Sequence, residues 1–215
     1  MTSNMTSTIA PSSPSTATLS TSPQRLLILG STSSYRRDLL SRLRVPFTVA
    51  SPEVDETAMA GEAPFEMANR LALAKARAVA QKFPHAVVIG SDQVADLDGL
   101  ALGKPGNFER ATKQLQQMRG KTVVFHTALA VVCLETGFEQ HDMARVRVRF
   151  RDLSDAEISA YLLAETPYDC AGSAKSEGLG IALLASIDND DPTALVGLPL
   201  IRTCNMLRAA GLKLL

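Results

Sequence analysis

The strongest constraint on this chain is an alternation. Short runs of uninterrupted apolar residues are followed by segments whose apolar residues recur every three to four positions. Leu26-Leu27-Ile28-Leu29 reads as a buried strand leading into Gly30-Ser31-Thr32-Ser33-Ser34, and Tyr35 to Arg44 then carries Leu39, Leu40 and Leu43 at helical spacing. Phe47 to Ala50 is a second strand, followed by the acidic loop Glu53-Val54-Asp55-Glu56. Pro64 opens a helix to about Phe83 whose stripe is Phe65, Ala68, Ala72, Ala76, Val79 and Phe83, with Lys75 at the stripe's edge. Val87-Val88-Ile89-Gly90 reads as another buried strand, ending at Ser91-Asp92-Gln93. Asn107 to Arg119 is helical, and a longer β stretch starts at Thr122 and runs to about Leu134. Arg145 to Arg151 alternates strictly, with Val146, Val148 and Phe150 inward. Ser154 and Glu157 have capping-box spacing, and a last helix spans about Pro199 to Ala210 and stops at Gly211. Strands alternating with helices predict an α/β fold; the β stretch from Thr122 to Arg151 adds antiparallel pairing, hence a mixed sheet flanked by helices.

The remaining composition narrows the class. Residues 1–24 hold thirteen Ser or Thr, three Pro and no charged side chain, so they predict a disordered tail ahead of one domain over 25–215. The tail has neither the basic start and apolar stretch of a secretory signal nor the arginines of a transit peptide. Twenty-two basic residues balance 22 acidic ones, which argues against a nucleic-acid polymer as partner. No apolar run approaches the roughly 18 residues of a membrane span. Cys133, Cys170 and Cys204 are widely spaced, with no C-x-x-C pair, so neither a disulfide framework nor a zinc knuckle is expected and a reducing cytoplasm fits. His85, His126 and His141 form no metal-ligand pair and read as surface or packing residues.

In α/β sheets ligands collect beyond the carboxyl ends of strands. Two such places carry chemistry here. The turn from Gly30 to Ser34, followed by Tyr35, Arg36 and Arg37, combines hydroxyls, helix-start N–H groups and guanidinium groups, which suits a polyphosphate; it equally suits an ordinary helix start. It is neither a Walker A loop nor a G-x-G-x-x-G turn. Asp92 follows an apolar strand, where a carboxylate is costly without a partner or a task; a turn or N-cap aspartate is the plain alternative. Lys104, in the loop Gly103-Lys104-Pro105-Gly106, is placed to aim an ammonium group at the same strand ends. Glu56 could meet Asp92 across the cleft, and two carboxylates beside several cations would make a metal-assisted phosphate site. Asp188-Asn189-Asp190-Asp191 reads instead as a loop and helix cap, and Arg145, Arg147, Arg149 and Arg151 as a solvated or subunit-facing surface.

Taken together, Ser31 to Arg37, Val54-Asp55-Glu56, Ala74-Lys75-Ala76, Gly90 to Val94, Gly103-Lys104-Pro105, Ala174 to Gly178 and Gly197-Leu198-Pro199-Leu200 resemble the Maf family of nucleoside triphosphate pyrophosphatases, over residues 25–215. The resemblance implies the mixed α/β fold of the inosine triphosphate pyrophosphatases, a homodimer, and hydrolysis of a nucleotide to its monophosphate and pyrophosphate with a divalent metal, Mg or Mn. It implies Asp92 as proton acceptor and Glu56 as second acid, both placed to bind the metal. Arg36, Lys75 and Lys104 would be the triphosphate cations, with Ser31, Tyr35, Gln93 and Glu177 also in the substrate site. Tyr35, Gln93 and Glu177 match the family's 7-methyl-GTP branch, whereas the dTTP/UTP branch has Arg, Thr and Gln at those places. Ser34 stands where a proline is usual and Tyr35 where a tryptophan is expected. The alternatives are a dTTP/UTP pyrophosphatase, or a regulator of septum formation that binds nucleotide without turning it over.

Overall fold

The computed structural model describes residues 25–215, so the Ser/Thr-rich tail lies outside the described residues. Seven strands form one mixed sheet: β1 (Leu27–Gly30), β2 (Thr48–Ala50), β3 (Val87–Leu97), β4 (Leu100–Leu102), β5 (Thr122–Cys133), β6 (Phe138–Phe150) and β7 (Leu184–Asp188). Their order is β2-β1-β3-β5-β6-β7, with β4 paired to β3. β1 is parallel to both β2 and β3; all other pairings are antiparallel. The expected mixed α/β architecture is therefore present, and the stretch from Thr122 to Phe150 pairs antiparallel as its sequence pattern implies, joined by an earlier antiparallel pair, β3 with β4.

Five helices cover the sheet: α1 (Ser34–Ser41), α2 (Pro64–Lys82), α3 (Phe108–Met118), α4 (Asp155–Glu165) and α5 (Leu200–Ala209). Alternation along the strands assigns each face. Ile28, Val88, Ala128 and Ala130 pack under α2, whereas Leu29, Ile89, Leu129 and Val131 pack with Leu39 of α1 and Leu207 of α5. A third cluster joins α3 and α4 to the far end of β5 and β6 through Leu115, Phe125, Val148 and Leu162. Ala68, Ala72, Ala76 and Ala80 give α2 a thin inner face, so it lies close to the sheet. Gly90 completes that approach: a Cβ there would stand 2.2 Å from the Ala72 carbonyl oxygen and 2.5 Å from the Ala76 nitrogen.

Several boundaries depart from the sequence reading. β3 does not stop at Ser91-Asp92-Gln93 but continues through them to Leu97, because each of those polar side chains finds a partner. α1 ends at Ser41 rather than Arg44, and Arg44 turns to a left-handed φ of 55°. β6 begins at Phe138, well before Arg145; from Arg145 to Phe150 its arginines are exposed and Val146, Val148 and Phe150 buried, as the alternation requires. The capping box at Ser154 forms, with Glu157 nitrogen donating to Ser154 Oγ at 3.2 Å. Among the described residues no helix is long and apolar enough to cross a membrane.

Candidate active site

One cleft of about 580 Å³ opens beside β1 and β3, within the usual range for small-molecule sites. It is lined by all nine residues singled out in the sequence: Ser31, Tyr35, Arg36, Glu56, Lys75, Asp92, Gln93, Lys104 and Glu177. None of the three histidines lines it; His126 is buried with Nε2 3.1 Å from Asp96, and His85 pairs with Glu135 on the surface.

At the centre lies a charge cluster that is buried at Lys75 and Asp92 and open to solvent at Glu56. Asp92 sits inside β3, not after it, and faces α2, whose Lys75 is only 5% exposed. Lys75 Nζ lies 2.7 Å from Asp92 Oδ1 and 2.7 Å from Glu56 Oε1, so the lysine bridges the two acids. A buried ammonium needs such partners, since an unpaired charge in this position would be strongly destabilising. Burial pushes the Glu56 carboxyl up, but the Lys75 hydrogen bond and the charges of Lys75, Lys104 and Arg36 outweigh it and hold the pKa below the usual value. Glu56 therefore stays ionised further into acid than an ordinary glutamate.

The β1-to-α1 turn delivers the next group. Ser33 caps α1 by accepting from Arg36 nitrogen, and Ser31 Oγ accepts from Ser33 nitrogen at 3.2 Å. Arg36 Nε donates to the Gly197 carbonyl at 2.8 Å and its Nη1 to Ser31 Oγ at 3.4 Å. Desolvation lowers the Arg36 pKa, while Asp92 and Glu56 act in the opposite direction. Lys104 sits exposed at the rim, in a loop braced by Gln114 Nε2 and Gly172 nitrogen, both of which donate to the Gly103 carbonyl.

On the other side, Gln93 Nε2 donates to Thr127 Oγ1 and to the carbonyls of Ala194 and Leu195 at 2.9–3.1 Å. Carbonyls only accept, so this network orients the amide and leaves Gln93 Oε1 as the acceptor it offers. Tyr35 OH donates to Asp169 Oδ1 at 3.4 Å, and Cys170 Sγ lies 3.7 Å from that hydroxyl. Burial pushes the Cys170 thiol up to about 12, with Asp169 adding to the rise and the Tyr35 hydrogen bond opposing it. Glu177 is exposed at the rim. Its loop is held on both sides by Glu165, through Lys175 Nζ at 2.8 Å and Leu179 nitrogen at 2.7 Å.

Sequence reasoning missed several residues that hold this site in place: Arg70, Thr127, Glu165, Asp169 and the carbonyls of Ala194 and Leu195. Thr127, Asp169 and the Ala194–Leu195 carbonyls find partners 34 to 134 residues away, and Arg70 and Glu165 find theirs in neighbouring loops, so no local motif marks them. Asp191, expected as a cap, is fully buried and accepts from Arg202 nitrogen at the start of α5 at 3.2 Å.

Comparison with known proteins extends the geometry. A 7-methyl-GTP pyrophosphatase of Albidiferax ferrireducens is 75% identical over 192 residues, covering 89% of this chain and 96% of that protein. Another, from Polaromonas sp., is 70% identical over 211 residues, covering 98% and 96%. Among solved structures, a HAM1 protein from Coxiella burnetii overlaps 60% of this chain and 74% of its own at 17% identity, with a TM-score of 0.45. The family model described as Maf-like protein matches residues 26–210, from the start of β1 to the end of α5 and through every element that lines the cleft. The chain belongs to the Maf family.

Proposed function

We propose that this chain hydrolyses 7-methyl-GTP to its monophosphate and pyrophosphate, breaking the α–β phosphoanhydride bond with one water. The observation that carries the reading is the Glu56–Lys75–Asp92 cluster, set in one cleft with Tyr35, Gln93 and Glu177. The names borne by relatives 70–75% identical support the substrate. Arg36 and Lys104 hold the triphosphate oxygens, and Lys75 takes up charge as pyrophosphate leaves. Asp92 accepts the proton of the attacking water.

The donors fit a divalent cation. Lys75 occupies one oxygen of each carboxylate, Asp92 Oδ1 and Glu56 Oε1, and the second oxygens are hard ligands suited to Mg²⁺ or Mn²⁺. Among the described residues no group of three or more His, Cys, Asp or Glu is placed to hold a metal. The pair therefore suits an ion that completes its shell with phosphate oxygens and water. Once bound, such an ion supplies charge neutralisation at the phosphates and a more acidic water.

For the base, Tyr35 presents an aromatic face to the cationic 7-methylguanine ring. Glu177 and Gln93 Oε1 accept from the guanine N1–H and N2–H edge, a donor pair that pyrimidines lack. The test is a pyrophosphate-release screen over 7-methyl-GTP, GTP, dTTP and UTP, with and without EDTA. Metal-dependent release with 7-methyl-GTP preferred is expected; a preference for dTTP overturns the branch, and no release from any triphosphate leaves the nucleotide-binding regulator as the reading.

Glu177→Gln is expected to lower turnover of 7-methyl-GTP by about tenfold or more, the scale of a lost hydrogen bond to a charged group. Residual dTTP or UTP hydrolysis should fall much less. Tyr35→Ala should raise KM for the methylated nucleotide more than for GTP, by up to the equivalent of about 2 kcal/mol of cation–π attraction. Equal losses on every nucleotide in steady-state assays would remove both residues from base recognition.

A further inference from the structure

The loop 51–63 carries Glu56 to the cleft with almost no apolar anchorage. Pro52 is its one buried residue, and residues 55–61 are all exposed. A segment with so few buried contacts is ordered by its polar ones. Three cations of α2 supply them. Lys82 meets Glu53 at 2.7 Å, but both partners are at least half exposed, and such surface pairs contribute little. Lys75 meets Glu56 itself, whose side chain is 57% exposed.

Arg70 makes the third and best-formed contact. Its Nε and Nη2 lie 2.5 and 2.7 Å from the two oxygens of Glu62, whose side chain is 8% exposed, and Nη2 also donates to the Thr57 carbonyl at 3.1 Å. Glu62 Oε2 in turn accepts from Met59 nitrogen at 3.1 Å. A planar guanidinium fork on a carboxylate fixes direction as well as distance. The fork thus closes the stretch 57–62 into a staple that begins one residue after Glu56. Arg70 itself does not line the cleft.

We propose that Arg70 is a positioning residue for the reaction: by gripping the Thr57 carbonyl and Glu62, it fixes the main chain beside Glu56 and delivers that carboxylate to Lys75 and Asp92. The inference rests on the placement of Glu56 in the active site. Arg70 and Lys75 share one rigid helix, so the loop is registered against the same element that carries the lysine it must meet.

The experiment is a double-substitution cycle on the full chain with 7-methyl-GTP and Mg²⁺, together with hydrogen exchange of the free protein. Arg70→Gln is expected to lower kcat about 10- to 100-fold, the range for groups that orient a reacting residue, with KM changed less than about threefold. In a Glu56→Gln background the same change should add no more than about a further twofold, because the group it positions is already lost. The Thr57 and Met59 amides should exchange at least about tenfold faster in Arg70→Gln, with α2 and β3 unchanged. Multiplying losses in the cycle, wild-type kcat in Arg70→Gln, or unchanged loop exchange would each overturn the proposal. Should Arg70→Gln not fold, Glu62→Gln keeps the shape while weakening the fork; it is expected to give the same pattern at smaller amplitude, and normal loop exchange there overturns the proposal. Wild-type turnover in Glu56→Gln refutes the placement of Glu56 instead, and loop exchange in Arg70→Gln then still decides whether Arg70 holds the loop.

Discussion

Asp92→Asn is expected to lose about a thousandfold in kcat, within the range for removing a positioned base or a ligand of a catalytic metal. The substitution keeps the size and shape of a side chain inside β3 and leaves an oxygen able to accept from Lys75, which is 2.7 Å away. What disappears is the charge that takes up a proton or binds a cation. Lys75 keeps its second partner, Glu56, also at 2.7 Å, so the ammonium is not stranded and the protein should still fold. The pairing of measurements is decisive. Circular dichroism and the melting transition should report a native protein, while pyrophosphate release falls to background. Turnover within tenfold of wild type would take Asp92 out of the machinery.

Gly90→Ala is expected to cost about 3 kcal/mol or more, at or beyond the upper end of ordinary overpacking. The new methyl would stand 2.2 Å from a backbone oxygen of α2 and 2.8 Å from the Ala76 side chain. Backbone cannot swing aside as the end of a flexible side chain can, so the helix has to lift. Ala72 and Ala76 bracket Lys75, and lifting that turn draws the ammonium away from Asp92. Urea unfolding should therefore show the stability loss, and the surviving folded enzyme should show a lowered kcat. A variant of unchanged midpoint would mean that α2 can move off the sheet freely.

Much of this architecture was legible because its elements carry strong periodicity. The alternation in β6 from Arg145 to Phe150 is a case where residue pattern and burial coincide; in α2 the stripe is buried at Ala68, Ala72, Ala76 and Val79, whereas Phe65 and Phe83 at its ends are exposed. The end of β3 was not legible. Ser91, Asp92 and Gln93 look like the close of a strand, yet they continue it because Ser91 Oγ donates to the Ala128 carbonyl, Asp92 meets Lys75, and Gln93 reaches Thr127. Local polarity was outweighed by partners supplied from other parts of the chain. β4 and β7, of three and five residues, were also not read from the sequence. In the site, the residue types were readable and their wiring was not. Glu56 and Asp92 suggested a pair of acids facing each other, whereas a lysine from the stripe's margin stands between them. Arg70 gave no signal because its contacts with Thr57 and Glu62 form only after the loop folds back on α2.

The turn at Ala194–Gly197 has an implication for how such an enzyme can change. Its carbonyls receive Arg36 through Gly197 and Gln93 through Ala194 and Leu195, so one stretch of main chain seats both the residue proposed above to grip the phosphates and one proposed to read the base. Every amino acid carries the same carbonyl. No point substitution in that stretch can delete an acceptor, although one that distorts the turn can displace it. The seat is thus buffered against mutation, whereas the groups it seats are single side chains that one codon can replace. On the proposed roles, base preference can drift at Tyr35, Gln93 and Glu177 while the placement of Arg36 relative to Gln93 stays set by peptide geometry. A scaffold of this kind lets new nucleotide specificities be sampled without rebuilding the hydrolytic end.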